Sequence, residues 1–138
     1  MNIFAVVVAW ALTIFLAGVF LKAGRFKLTA PIETLVGAGM AWAAQIPAGL
    51  VRLIAALELL GAAGIILAPI ASEFLGFGWA QPWGVAAAAG LALTMIVGAV
   101  MHIVRGEFKY TWKINIAIIV ASVALTVLLA VAGAPLFA

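Results

Sequence analysis

The chain has 138 residues, of which 69% are hydrophobic and 8% are charged, and its mean hydropathy is +1.38. About a quarter of the residues of a soluble domain are charged, so this composition excludes a soluble domain and predicts an integral membrane protein. The chain has no cysteine, which excludes disulfides, thiolate metal sites and CxxC redox chemistry. The net charge of +3 comes from basic residues beside apolar stretches, where membrane topology explains them better than a nucleic-acid partner does.

Four apolar stretches are long enough to cross a bilayer core of about 30 Å, which needs about 20 residues of helix. They cover approximately residues 4–27, 48–69, 84–104 and 112–133. Their short connections predict one domain over 1–138, an all-α integral membrane protein built as an up-and-down bundle of four transmembrane helices. The first stretch lacks a basic leader and is longer than the apolar core of a signal peptide, so we expect it to be retained.

The first connection contains the sequence PIETLVGAGMAWAAQIP, residues 31–47. Pro31 suits the first turn of a helix, and Glu33 suits the positive end of the helix dipole. This pattern favours a short helix in the membrane interface between spans 1 and 2, with Trp42 as its anchor. An irregular loop is the alternative.

All seven basic residues flank the first and third connections, whereas the second connection has no Lys or Arg. The positive-inside rule therefore places the first and third connections in the cytoplasm and both termini outside. The lipid bilayer is the first partner that this arrangement implies. The predicted interfacial anchors are Lys22, Arg25, Arg52, Arg105, Trp42 and Trp112.

The spacing of the small residues predicts which polar side chains face the bundle interior. Residues three, four and seven apart share a helix face, and small residues allow helices to approach closely in lipid. Glu58 shares its face with Ala55 and Ala62, so we expect it to point inward. Lys27 shares a face with Thr13 and points inward by the same reasoning, while Lys22 and Arg25 lie on the opposite side of that helix.

Spans three and four also carry polar positions on one face. A stripe in the third span ends at His102, and a polar face in the fourth span begins at Asn115. The stripe contains Gly90, Thr94 and Gly98, and the polar face contains Ser122, Thr126 and Gly133. We therefore predict a polar cluster of Glu58, His102, Lys27 and Asn115 in the cytoplasmic half of the bundle.

Two interpretations of this cluster are open. In the first, Glu58 and a basic partner hold two helices together, as interhelical polar contacts do at about 0.6–2 kcal/mol each. In the second, Glu58 and His102 bind a ligand or handle a proton, because an ionisable residue inside a membrane is a functional hypothesis by default. Lys27 belongs either to this site or to the interfacial anchors. One His, no Cys and one deep carboxylate cannot complete a usual metal site.

Several stretches resemble the DoxX-like family of small, four-span bacterial membrane proteins. They are LAGVFLKAGRFKLTAP (16–31), GMAW (39–42), RLIAALELLGAAGIILAP (52–69), GLALTMIVGAVMHIVRGE (90–107) and Asn115. The resemblance implies that Lys27, Glu58 and His102 are recurring polar positions. Lys22 and Arg25 depart from the family pattern, in which apolar residues are expected, and mark an altered cytoplasmic surface or a contact with a partner.

The resemblance implies a multi-pass protein of the bacterial inner membrane. The expected function is an accessory or substrate-handling subunit of a quinone-linked oxidoreductase, which holds a quinone or another lipid-soluble molecule and has no intrinsic cofactor. Such a chain needs a protein partner for redox chemistry, and it could also form homo-oligomers. The alternatives are a non-catalytic assembly chaperone or structural subunit and, with less support, a small transporter.

Overall fold

The computed structural model describes residues 3–132, and this part of the chain contains helices and no strand. The elements are α1 (Ile3–Thr29), α2 (Ile32–Gly37), a 3₁₀ turn (Ala41–Ala44), α3 (Ala48–Phe74), α4 (Ala80–Val104) and α5 (Phe108–Ala132). Within the described residues, α1, α3, α4 and α5 are long and apolar enough to cross a membrane. The predicted fold class, an all-α four-span bundle, is confirmed. The predicted span end at Gly133 lies outside the described residues.

The four long helices form a ring. α1 packs against α3, α3 against α4 and α4 against α5, and a smaller contact between α5 and α1 closes the ring. Large apolar side chains such as Leu16, Phe20, Ile65 and Leu125 fill its centre. Several leucines of α3 lie outside this core, and Leu60 is the most exposed of them at 68%.

Three helices extend four or five residues past the predicted spans. α3 continues beyond Pro69 to Phe74, although the span was predicted to end at the proline. Proline removes one backbone donor but does not prevent the following turn from forming, and the Leu75 N–H still bonds the Ala71 carbonyl at 3.2 Å. α4 and α5 each begin four residues before the predicted span, at Ala80 and Phe108.

The first connection contains a short helix, which is one of the two arrangements that the sequence left open. α2 begins directly after Pro31, and the 3₁₀ turn that follows carries Trp42. Leu35 and Ala43 are buried beside Val51 at the start of α3, and Trp42 packs on this cluster. These apolar contacts hold the connection against the ends of α1 and α3.

Small residues set the closest helix contacts. A Cβ added to Gly24 would lie 2.9 Å from Leu59 Cγ across the α1–α3 contact, and one added to Gly64 would lie 2.8 Å from Ala87 Cβ across the α3–α4 contact. The α4 stripe that ends at His102 does not make such a contact. A Cβ added to Gly90 or Gly98 would have no neighbour within 4 Å, because the stripe faces a cavity and, at Gly90, the surface.

Gly64→Ala should destabilise the bundle, because neither Cβ in the new pair with Ala87 can rotate away and the helices must separate. Overpacking of this kind typically costs about 1–3 kcal/mol. Thermal unfolding in detergent should show a lowered midpoint for Gly64→Ala. The control Gly90→Ala should keep or raise the midpoint, since alanine favours helix and space is open there. Equal midpoints for the two variants would contradict the packing argument.

Candidate functional site

The polar residues meet at the end of the bundle where α1 and α4 end and α3 and α5 begin, which we call the basic end because all seven Lys and Arg residues lie near it. A cavity of about 650 Å³ lies there among the four long helices. Its walls are mainly apolar. Its polar lining residues are Lys27, Glu58, Thr94, His102 and Asn115. Met40 and Trp42 of the first connection also line it.

The centre of the site is an ion pair between α1 and α3. Lys27 Nζ donates to Glu58 Oε1 at 2.6 Å, and the two residues are only 9% and 3% exposed. The pair is close because Gly24, one turn before Lys27, lets α1 approach Ala55 and Leu59 on either side of Glu58. Both side chains therefore point inward, as their helix faces predicted.

The second carboxylate oxygen of Glu58 is not used by this pair. Oε2 is buried, and it has no hydrogen-bond partner among residues 3–132. Buried polar atoms are nearly always hydrogen-bonded, so we expect Oε2 to accept a hydrogen bond from a group that these residues do not supply.

His102 is held by the turn that ends α4. Gly106 adopts a φ of +73°, which allows the Glu107 N–H to bond the His102 carbonyl at 2.8 Å in a Schellman motif. The Glu107 side chain then folds back over the turn, with Oε2 at 2.9 Å from His102 Nδ1 and Oε1 accepting from Arg105 Nε at 2.7 Å. Because Glu107 engages Nδ1, a ligand in the cavity would meet the ring through Nε2.

The same contacts change the acidity of Glu107, which lies in the connection outside the spanning helices. The hydrogen bond with His102, followed by the one from Arg105, holds the pKa of Glu107 below its usual value of 4.5. Both partners favour the charged carboxylate.

Two predicted interfacial anchors have partners within the protein. Arg52 Nη1 donates to the Lys27 carbonyl at 2.5 Å. This carbonyl lacks the usual helical donor because the residue four positions on is Pro31, which has no N–H. Arg105 Nη1 donates to Gln45 Oε1 and so ties the first connection to the end of α4.

The remaining predicted residues divide between the cavity and the surface. Asn115 is 6% exposed and lines the cavity, with Nδ2 at 3.3 Å from Thr111 Oγ1. Trp42, predicted to be an interfacial anchor, is half-buried against the cavity instead of lying free on the surface. Lys22, Arg25 and Trp112 are exposed.

The four residues of the predicted cluster thus line one cavity, although only Lys27 and Glu58 bond each other directly. His102 bonds Glu107, which the sequence reasoning did not assign to the site. The signal was present, because a glycine after a helix end places the next residue back over the last turn. Gln45 had no comparable local signal. No group of three metal-ligating His, Asp or Glu side chains occurs within the described residues.

Lys27→Met should destabilise the protein by about 3–5 kcal/mol, because it leaves Glu58 buried without its cation. Adding Glu58→Gln should recover part of this loss, since the unpaired charge is then removed. Unfolding in detergent of both single variants and the double variant measures the coupling. Lys22→Met is the control, since Lys22 lies on the same helix and is exposed. Strictly additive losses would contradict a coupled pair.

Glu107→Gln should reduce the stability of the protein at neutral pH and make little difference in strong acid. Because folding lowers the pKa of Glu107, its carboxylate stabilises the fold fully above pH 4.5, and this contribution is lost as the pH falls through the lowered value. The difference in unfolding midpoint between wild type and Glu107→Gln should therefore shrink below pH 4.5. A difference that persists, or that equals the difference for the exposed Glu73→Gln, would contradict this linkage.

Comparison with known proteins agrees with this architecture at the level of the family. No curated protein and no solved structure matches the chain. The family model that matches is that of the DoxX-like family, over residues 11–129, which include the whole lining of the cavity. This match covers most of the chain, and the four-helix membrane protein described above belongs to the DoxX-like family.

Proposed function

We propose that this protein is a substrate-handling subunit of a quinone-linked oxidoreductase system, and that its cavity binds a quinone-like, lipid-soluble molecule. The observation that carries the proposal is the cavity itself, which combines apolar walls with a few polar side chains at the basic end. Ligand pockets typically have volumes of roughly 300–1,000 Å³ and this composition.

The polar side chains of the lining suit the oxygens of a quinone ring. Lys27 has hydrogens beyond the one bonded to Glu58, and the amide of Asn115 can both donate and accept. His102 can contribute Nε2, since Nδ1 is held by Glu107. These groups could position a ring and exchange a proton with its oxygens.

The apolar lining suits an isoprenoid or alkyl tail. Leu57, Leu93, Val97 and Ile114 line the cavity and are each about half exposed on the bundle surface. Since this surface faces lipid in a membrane, a tail can leave the cavity between these side chains. The ligand would therefore enter from the bilayer.

The electrons would pass to or from a partner protein. The chain has no cysteine, and its polar side chains would bind the ligand and transfer protons without being oxidised or reduced themselves. By the positive-inside rule, the basic end would face the cytoplasm in a bacterial inner membrane, with both termini outside. Partner and ligand would then meet near the cytoplasmic surface.

A non-catalytic structural subunit or assembly chaperone is the second candidate. The closed pair between Lys27 and Glu58 favours it, because such a pair can hold α1 against α3 without any ligand.

Native mass spectrometry of protein extracted from its own membrane tests the proposal. Wild type should carry a lipid-soluble molecule with the mass and ultraviolet spectrum of a quinone. Gly98→Phe should lose this molecule, because the new ring extends into the cavity where no atom lies within 4 Å of its Cβ. Gly90→Phe, on the same stripe but outside the cavity lining, should keep it.

Wild type that carries no small molecule, while both variants retain a protein partner in fixed stoichiometry, would favour the structural subunit. Loss of the molecule from both glycine variants would mean that the cavity is not its binding site.

A further inference from the structure

We infer that the cavity selects the hydroquinone form of its ligand over the quinone form. Glu58 Oε2 offers a buried acceptor, which the hydroxyl group of a hydroquinone can satisfy and the carbonyl group of a quinone cannot. This inference rests on the proposed function and adds to it the chemical state of the ligand.

The argument begins with the two oxygens of Glu58. Oε1 accepts from Lys27 at 2.6 Å, whereas Oε2 is buried without a partner among residues 3–132. As the carboxylate of an ion pair, Glu58 can accept hydrogen bonds but cannot donate them. The missing partner of Oε2 must therefore be a donor.

None of the other polar side chains that line the cavity bonds Oε2. Asn115 Nδ2 lies at 3.3 Å from Thr111 Oγ1, and Thr94 Oγ1 donates to the Gly90 carbonyl at 2.9 Å. His102 Nδ1 bonds Glu107 at 2.9 Å. Since Oε2 has no donor within the described part of the chain, we assign this hydrogen bond to the ligand.

A hydroquinone supplies this donor and a quinone does not. A phenolic O–H can donate to Oε2, while its oxygen accepts a second hydrogen from Lys27 Nζ. A quinone carbonyl would place its own lone pairs against the carboxylate oxygen. The pair of Lys27 and Glu58 therefore matches a hydroxyl group and opposes an isolated carbonyl.

Glu58→Gln should reverse this preference. The glutamine oxygen can keep the hydrogen bond from Lys27, and the amide nitrogen then takes the place of Oε2. The binding position changes from an acceptor to a donor, which matches a quinone carbonyl. The change alters the polarity of the site with almost no change in side-chain volume.

The test uses the full-length protein in lipid nanodiscs, depleted of co-purified lipophilic molecules. The probes are a 1,4-benzoquinone with a ten-carbon tail, the hydroquinone formed from it by reduction under argon, and the dimethyl ether of that hydroquinone. Calorimetry should show that wild type binds the hydroquinone at least about tenfold more tightly than the other two, as expected for a hydrogen bond to a charged group. In Glu58→Gln the quinone should become the tighter ligand.

Equal affinities for quinone and hydroquinone in wild type, or tighter binding of quinone, would overturn the inference and leave the proposed function standing. Equal binding of hydroquinone and dimethyl ether would also overturn it, since Oε2 would then be bonded to an internal water. Failure of every probe to bind would overturn the proposed function as well. If Glu58→Gln does not fold, the comparison of the three probes on wild type still gives one of these results.

Discussion

The ion pair between Lys27 and Glu58 is the constraint on which the rest of the basic end depends. An isolated charge at membrane depth is unfavourable by at least about 2.5–3.5 kcal/mol, so α1 and α3 must come close enough for the two side chains to meet. Gly24 permits that approach beside Ala55 and Leu59. Arg52, which precedes Glu58 on α3, donates to the carbonyl of Lys27 and completes the end of α1. The ion pair and the bond from Arg52 thus fix the spacing and the register of α1 and α3.

A second polar cluster lies at the end of α4, where His102 lines the cavity. Glu107 joins His102 to Arg105, and Arg105 reaches Gln45 in the first connection. These bonds are made within the end of α4 and with the connection, so they do not draw α4 toward the pair of Lys27 and Glu58. Both clusters contribute side chains to the cavity lining, and each forms its bonds without the other.

The sequence predicted the helices and the inward faces well, because both follow from local periodicity and from the composition of each face. Glu58, Lys27 and Asn115 are buried, as the residues that share their helix faces indicated. The partners were harder to predict. The bond from Arg105 to Gln45 joins positions 60 residues apart, and no local pattern specifies it. The stripe ending at His102 shows the same limit, since small residues allow close helix contact and also leave room for a cavity.

The structural and ligand-binding interpretations of Glu58 need not exclude each other. A carboxylate has two oxygens, and here they have different surroundings: Oε1 is bound to Lys27, and Oε2 has no partner in the described part of the chain. The first contact stabilises the bundle and holds the side chain in place. The same contact fixes the position of the second oxygen, on a side chain that lines the cavity. Since preorganisation of this kind lowers the cost of binding, the pair that closes the bundle would also make the proposed site selective.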